Sequence, residues 1–356
     1  MSALTAAAAT TVLMRVNAGP ETGMGHLARC LSLADALRRE GVESRFLVNR
    51  HPATPAYLER WGYQASMSAA ASWSPEDLAA TLEAATRHAA QAVLVDARDV
   101  TAEYLDGLRA AGCFVIVRDD TARFPFSCQL VLNGNADARR LRYVSSSGDT
   151  RFLLGPDYAV LREEFWSLPA RVIRHPVREV LMILGGADPH GLMPRLLRIL
   201  DGVPGDFDVT AVIGPYFEDQ EAVTQAASAM HRRVRVLDNP AGLRELMVEA
   251  DLAVSGGGQA LYELARTGCP TVAIQVGDDQ QGQLQALAER GCVHSVGRAW
   301  EDDPLARVRR AVESLAKNRP VRQAMAQAGQ RLVDGQGALR AVAALLDVAQ
   351  LQGMYR

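Results

Sequence analysis

At 356 residues the chain is too long for one ordinary hydrophobic core and fits two domains of about 150–180 residues each. With 48% hydrophobic and 22% charged residues it has the composition of a soluble globular enzyme, which excludes a disordered or fibrous chain. A net charge of -3 at pH 7 gives no overall pull toward nucleic acid or an anionic membrane.

In chain order, residues 1–10 (MSALTAAAAT) carry no Lys or Arg ahead of their apolar residues. No apolar run approaches the about 20 residues that span a bilayer, so the expectation is a loose leader on a cytoplasmic protein without stable membrane insertion. Residues 11–17 (TVLMRVN) are apolar and β-branched and run into a glycine-bearing turn. Residues 26–41 then carry apolar side chains at helical spacing and stop at Gly41. Strand, glycine loop and helix make the opening unit of a doubly wound sheet. The alternation recurs through SRFLVN, AVLVDA, FVIVRDD and LVLNGNA, short apolar strands of the kind a parallel sheet buries on both faces.

A second series follows the Pro-bearing stretch at 168–177, with strands at EVLMILGG, FDVTAVIG, RVRVLDN, LAVSGGG and PTVAIQV separated by helical patterns. The reading is an α/β chain of two Rossmann-type, doubly wound domains, 1–168 and 177–335, with an interdomain cleft and a last helix at 336–356. The five cysteines are odd in number and lack CxxC spacing, which points to buried thiols rather than a disulfide framework or a zinc site.

Ligands of open parallel sheets bind at the carboxyl ends of the strands. Gly23 and Gly25, in the loop after the first strand, let backbone approach a ligand. His26 starts the helix, where the dipole favours an anion and a neutral imidazole able to take a proton from water or a hydroxyl. Asp96 ends its strand and is followed by Arg98, and Asp119 and Asp120 end the next. Either one of these carboxylates orients His26, or all of them cap helices. Asn133 and Asn135 stand on the same rim.

In the second half, Gly185 and Gly186 follow the first strand, with Asp188 and Pro189 opening a helix. Gly214 ends the next strand, and Ser255, Gly256, Gly257 and Gly258 form a third loop. These are candidate phosphate cradles, or else tight strand-to-helix turns. Glu263 lies on the following helix, where a carboxylate can accept both ribose hydroxyls, and Gln280 and Gln281 are placed to bind sugar hydroxyls.

The order of motifs over about residues 12–300 resembles the UDP-sugar hydrolases of pseudaminic acid biosynthesis and their spore-coat polysaccharide relatives. These are similar in turn to the peptidoglycan N-acetylglucosaminyltransferase and other GT-B transferases. Arg15, Gly23, Gly25, His26 and Arg29 carry the likeness, with Asp96, LNGNA at 132–136, LLGPDYAVLREEF at 153–165, Gly185, Gly186, Asp188, the 255–258 loop, Glu263 and Gln280. The resemblance implies a GT-B-like fold and a metal- and cofactor-independent reaction. In it His26 activates water to attack the anomeric carbon, the loops at 185–186 and 256–258 hold pyrophosphate, and Glu263 holds ribose. The family's Arg-x-Asp-x-Ser appears here with Asn17 for the carboxylate, and its Asp-His-Tyr with Arg98 for the ring, so the pocket differs near the sugar.

Three readings follow. The first is hydrolysis of a UDP-linked amino-deoxy sugar, and the second glycosyl transfer with the same base and donor site. The third is a non-catalytic nucleotide-sugar-binding subunit. The expected partner is a nucleotide sugar, with no nucleic acid, and the expected state a monomer or weak homo-oligomer.

Overall fold

The structure, a computed structural model, describes residues 10–19, 24–51, 53–96 and 98–351. Seven parallel strands form the first sheet: β1 (Thr11–Val16), β2 (Glu43–Asn49), β3 (Ala65–Ser68), β4 (Ala92–Asp96), β5 (Phe114–Arg118), β6 (Leu130–Asn133) and β7 (Arg151–Leu154). Their order is β3-β2-β1-β4-β5-β6-β7. The second sheet holds β8 (Glu179–Ile183), β9 (Asp208–Ile213), β10 (Val234–Asp238), β11 (Leu252–Gly256), β12 (Thr271–Gln275) and β13 (His294–Arg298), in the order β10-β9-β8-β11-β12-β13.

The helices are α1 (Gly25–Arg39), α2 (Ala53–Glu59), α3 (Pro75–Arg87), α4 (Ala102–Ala110), α5 (Leu192–Asp201), α6 (Gln220–Ser228), α7 (Arg244–Glu249), α8 (Ala260–Thr267), α9 (Gln281–Glu289), α10 (Pro304–Lys317), α11 (Arg319–Leu332) and α12 (Gly337–Leu351). Helices cover both faces of each sheet, which is why the central strands are apolar throughout: every residue of β1, β4, β5, β11 and β12 is buried. Leu27, Cys30, Leu31 and Leu37 of α1 and Ala338, Val342 and Leu345 of α12 share one core, so the last helix crosses back and docks on the first domain. No helix among the described residues is long and apolar enough to cross a membrane. Four of the cysteines are buried as expected, whereas Cys113 is half-buried; all five are free thiols.

Strand order reverses between β1 and β4 in the first sheet and between β8 and β11 in the second. At such switch points the connecting helices leave to opposite faces and open a crevice at the carboxyl ends of the strands. The residues at those four strand ends are His26, Asp96, Gly185–Gly186 and Gly256–Gly258.

Candidate active site

His26 lies in the first turn of α1, whose N-cap Met24 makes no side-chain cap, so the helix's first amides are left to other partners. Its Nδ1 is 2.8 Å from Asp96 Oδ1. Asp96 is fully buried at the end of β4, beside Val16 of β1 in the ladder. Burial alone would raise this carboxyl; the Arg29 charge, then His26, outweigh it and hold it well below the usual carboxylate range. Nδ1 also lies 2.9 Å from the Arg29 Nη2 donor, so the two contacts make opposite demands on this nitrogen; when protonated, Nδ1 donates to Asp96 and leaves its lone pair on Nε2, the tautomer a general base needs.

Arg29, one turn along α1, braces this pair. Its Nε donates to Asp96 Oδ2 at 2.6 Å, its Nη2 to Oδ1 at 2.5 Å, and its Nη1 to Asp120 Oδ2 at 2.7 Å. Arg118 pairs with Asp120 from the end of β5, and Asn135 Nδ2 donates to Asp120 Oδ1 at 2.8 Å. Two arginines thus balance two aspartates beneath the imidazole. Burial raises the Asp120 carboxyl, but Arg118 and then Arg29 hold it far below its ordinary value. Asn133 is buried behind, its Oδ1 accepting from Asn135 N–H and its Nδ2 donating to Tyr143 Oη.

The first domain's other candidates lie elsewhere. Arg15 is fully buried on the opposite face of the sheet, donating to Asp77 Oδ2 at 2.9 and 3.1 Å and stacking over Trp73. Asn17 Oδ1 accepts from Arg15 Nη1 at 2.7 Å, so both residues are engaged inside the domain. Arg98 is exposed and outside the cluster. Gly23 lies outside the described residues, whereas Gly25 opens α1 with free space where a Cβ would stand.

The two domains meet at this helix end. A Cβ on Gly186 would come within 3.1 Å of Met24 N, so the turn after β8 presses against the start of α1. Gly214 supports that turn from beneath, where a Cβ would stand 2.4 Å from Gly185 O. The phosphate cradle expected at α5 is filled from within. The helix begins only at Leu192, and Asp188 accepts from Leu192 N–H at 2.9 Å and Met193 N–H at 2.7 Å, placing a carboxylate where an anion would sit.

The 255–258 loop is different. Ser255 is buried, its hydroxyl donating to Gly256 O, and Gly256 and Gly257 are required by close approach to Leu184 O and to the Gln280 side chain. Gly258 has room in front of it, and α8 starts without a side-chain cap. Gln280 accepts from Val276 N–H at 2.9 Å and buttresses the loop, while the exposed Gln281 is held by Arg298 at 3.0 Å. Glu263 is buried on α8 without a hydrogen bond from any described residue. Burial first, then the neighbouring Glu164, push its carboxyl up to about 7, against the opposing Arg162.

Asp120, one of the strand-end carboxylates expected either to orient His26 or to cap a helix, instead shares Arg29 with Asp96. Tyr262, whose hydroxyl accepts from Ala136 N–H across the domain boundary, carried no sequence signal.

No protein-family model matches the chain. In sequence it is 26% identical over 336 residues to the spore coat polysaccharide biosynthesis protein SpsG of Bacillus subtilis, covering 93% of this chain and 96% of that protein. It is 23% identical over 266 residues to the uncharacterized protein MJ1062 of Methanocaldococcus jannaschii, covering 71% of this chain and 53% of that one. It is 24% identical over 273 residues to the pseudaminic acid cytidylyltransferase and UDP-2,4-diacetamido-2,4,6-trideoxy-beta-L-altropyranose hydrolase of Helicobacter pylori, covering 76% of this chain. The chain spans about half the length of these last two, 53% and 45%. Among solved structures, MurG of Acinetobacter baumannii superposes with a TM-score of 0.65 at 17% identity, over 95% of this chain and 99% of that one. MnaA of S. aureus with UDP superposes at 0.66 and 11%, over 97% of each chain. The spinosyn rhamnosyltransferase SpnG with thymidine diphosphate gives 0.64 and 16%, over 96% of this chain and 100% of that one. The fold is therefore the two-domain GT-B fold, and the likeness read from the motifs, to the UDP-sugar hydrolases of pseudaminic acid biosynthesis and their spore-coat relatives, holds in the sequence comparison.

Proposed function

We propose that this chain is an enzyme of surface-polysaccharide or nonulosonic acid biosynthesis that hydrolyses a UDP-linked amino-deoxy sugar at the anomeric carbon. The observation that carries the reading is the Asp96-oriented His26 imidazole, set at an uncapped helix start against the glycine turn of the second domain. His26 Nε2 takes a proton from water as the water oxygen bonds to the anomeric carbon. The bond from that carbon to the diphosphate oxygen breaks, and its electron pair leaves with UDP. Backbone amides at Gly258 and the start of α8 receive the diphosphate, where the dipole favours negative charge. Glu263 accepts the ribose hydroxyls, and Gln280 supports the loop that holds them. The relatives' names, one a polysaccharide biosynthesis protein and one a UDP-sugar hydrolase, support this reading.

The SGGGQALYEL run at 255–264 and DDQQ at 278–281 look more like the transferases' version than the hydrolases' and favour a second reading, in which His26 deprotonates a sugar hydroxyl instead of water. Incubating the purified protein with a panel of UDP-linked amino-deoxy sugars, with no acceptor present, and following UDP release separates the two. Hydrolysis predicts release by the wild type. His26→Ala is expected to lose about 10²- to 10⁴-fold in rate while binding UDP unchanged. Release only after a saccharide acceptor is added would replace hydrolysis with transfer. Nucleotide binding without turnover in either arm would leave a binding subunit.

A further inference from the structure

The helix proposed to face the nucleotide and the His26 dyad are joined across the domain boundary by a run of hydrogen bonds that passes through the Asn135–Ala136 backbone. Tyr262, next to Glu263 on α8, is buried, and its hydroxyl accepts from Ala136 N–H at 2.8 Å. The neighbouring Asn135 donates from Nδ2 to Asp120 Oδ1 at 2.8 Å. Asp120 Oδ2 takes Arg29 Nη1 at 2.7 Å, Arg29 closes on Asp96 at 2.5 and 2.6 Å, and Asp96 holds His26 Nδ1 at 2.8 Å.

The loop carrying Asn135 has little freedom to move apart from its anchor. Its backbone is fixed at Asn133 Oδ1, and a Cβ on Gly134 would stand 2.3 Å from Tyr158 O. A shift of α8 would move the Tyr262 hydroxyl, and Ala136 with Asn135 would follow or lose their bonds. Asn135 bears directly on the aspartate that shares Arg29 with Asp96.

We propose that Tyr262 is a positioning residue that transmits the placement of α8 in the second domain to the imidazole of His26 in the first. For its substrate this rests on the hydrolase reading above; for its coupling it rests on the hydrogen-bond run alone. The physical content is that a contiguous network links two sites, and such a network is established only by measuring the coupling.

The test uses the full chain with ¹⁵N-labelled histidine. In the ligand-free protein, the Nδ1–H resonance of His26, identified by its loss in His26→Gln, is expected to shift in Tyr262→Phe and in Asn135→Ala. An unchanged resonance in Tyr262→Phe overturns the proposal. Added UDP is expected to move this resonance in the wild type and to move it by less than about half as much in Tyr262→Phe. In turnover, Tyr262→Phe is expected to lose about tenfold in kcat, the scale of a slightly misplaced catalytic group, with KM and UDP affinity within about twofold. The Tyr262/Asn135 double variant is expected to fall no further than the worse single one, because both cut one run. A multiplicative loss, or a fall in UDP affinity as large as that in kcat, overturns it. A wild type that binds no UDP sinks the hydrolase reading, while the ligand-free resonance still decides this one.

Discussion

Replacing Glu263 by Gln is expected to stabilise the ligand-free protein at alkaline pH while weakening its hold on nucleotide. Burial and Glu164 lift the Glu263 carboxyl from an ordinary 4.5 to about 7. At about 1.4 kcal/mol per pH unit, that difference corresponds to about 3 kcal/mol of stability. The folded value is the higher one, so between pH 4.5 and about 7 the folded protein keeps a proton that the unfolded chain has released. Stability therefore falls as pH rises through that window and levels off above it. Glutamine cannot ionise, so Glu263→Gln should match the wild type near pH 4.5 and exceed it by about 3 kcal/mol at pH 8. With about 2–4 °C per kcal/mol for domains of this size, its melting temperature at pH 8 should be higher by about 6–12 °C. Thermal unfolding from pH 4.5 to 8 measures this, and parallel curves for the two proteins would refute the reasoning. The same substitution should lower UDP affinity at pH 8 by about tenfold or more, the scale of a hydrogen bond to a charged acceptor. A residue that destabilises the empty fold and binds when occupied is the trade-off expected of a functional group.

Asp96→Asn leaves Arg29 facing an amide in a buried site, and breaking such a pair is expected to reduce stability by about 3–5 kcal/mol, read by urea unfolding, with loss of turnover beyond what the stability change explains. Arg15→Met should be nearly as destabilising, because Asp77 loses its buried counter-charge, yet UDP affinity measured by calorimetry should stay within about twofold; a large drop in affinity would return Arg15 to the binding site. Gly214→Ala forces a Cβ toward Gly185 O, and overpacking of this kind is expected to reduce stability by about 1–3 kcal/mol and to slow turnover by moving the turn that touches Met24. Unchanged melting and turnover would show that the turn gives way freely.

Much of the architecture is legible in the chain because a doubly wound sheet imposes strong local patterns. Apolar strands at 11–17, 92–96, 114–118 and 252–256 can be read because they are buried on both faces, and the glycines that follow them because strand-to-helix turns demand them. Strands β3 and β7 escape such reading: ASMS and RFLL are edge segments of four residues, only partly buried and too short for a period to mark them. The first-domain docking of α12 is likewise invisible, since amphipathic spacing states that a helix buries a face but not against what.

The candidate site divides in the same way. His26, Asp96 and the glycine loops were legible because the carboxyl ends of parallel strands share one rim, so sequence order alone brings them to the same edge. What only the tertiary structure decided was each side chain's partner. Arg15 turned inward to Asp77, Asp188 filled the helix end that looked free for phosphate, Arg29 joined Asp96 to Asp120, and Tyr262 reached across to Ala136. The physical reason is range: burial patterns and turn chemistry are local properties of the chain, whereas a buried charge takes whichever opposite charge the packing brings within about 3 Å, and that packing joins residues as far apart as Asp157 and Arg340, 183 positions along the chain.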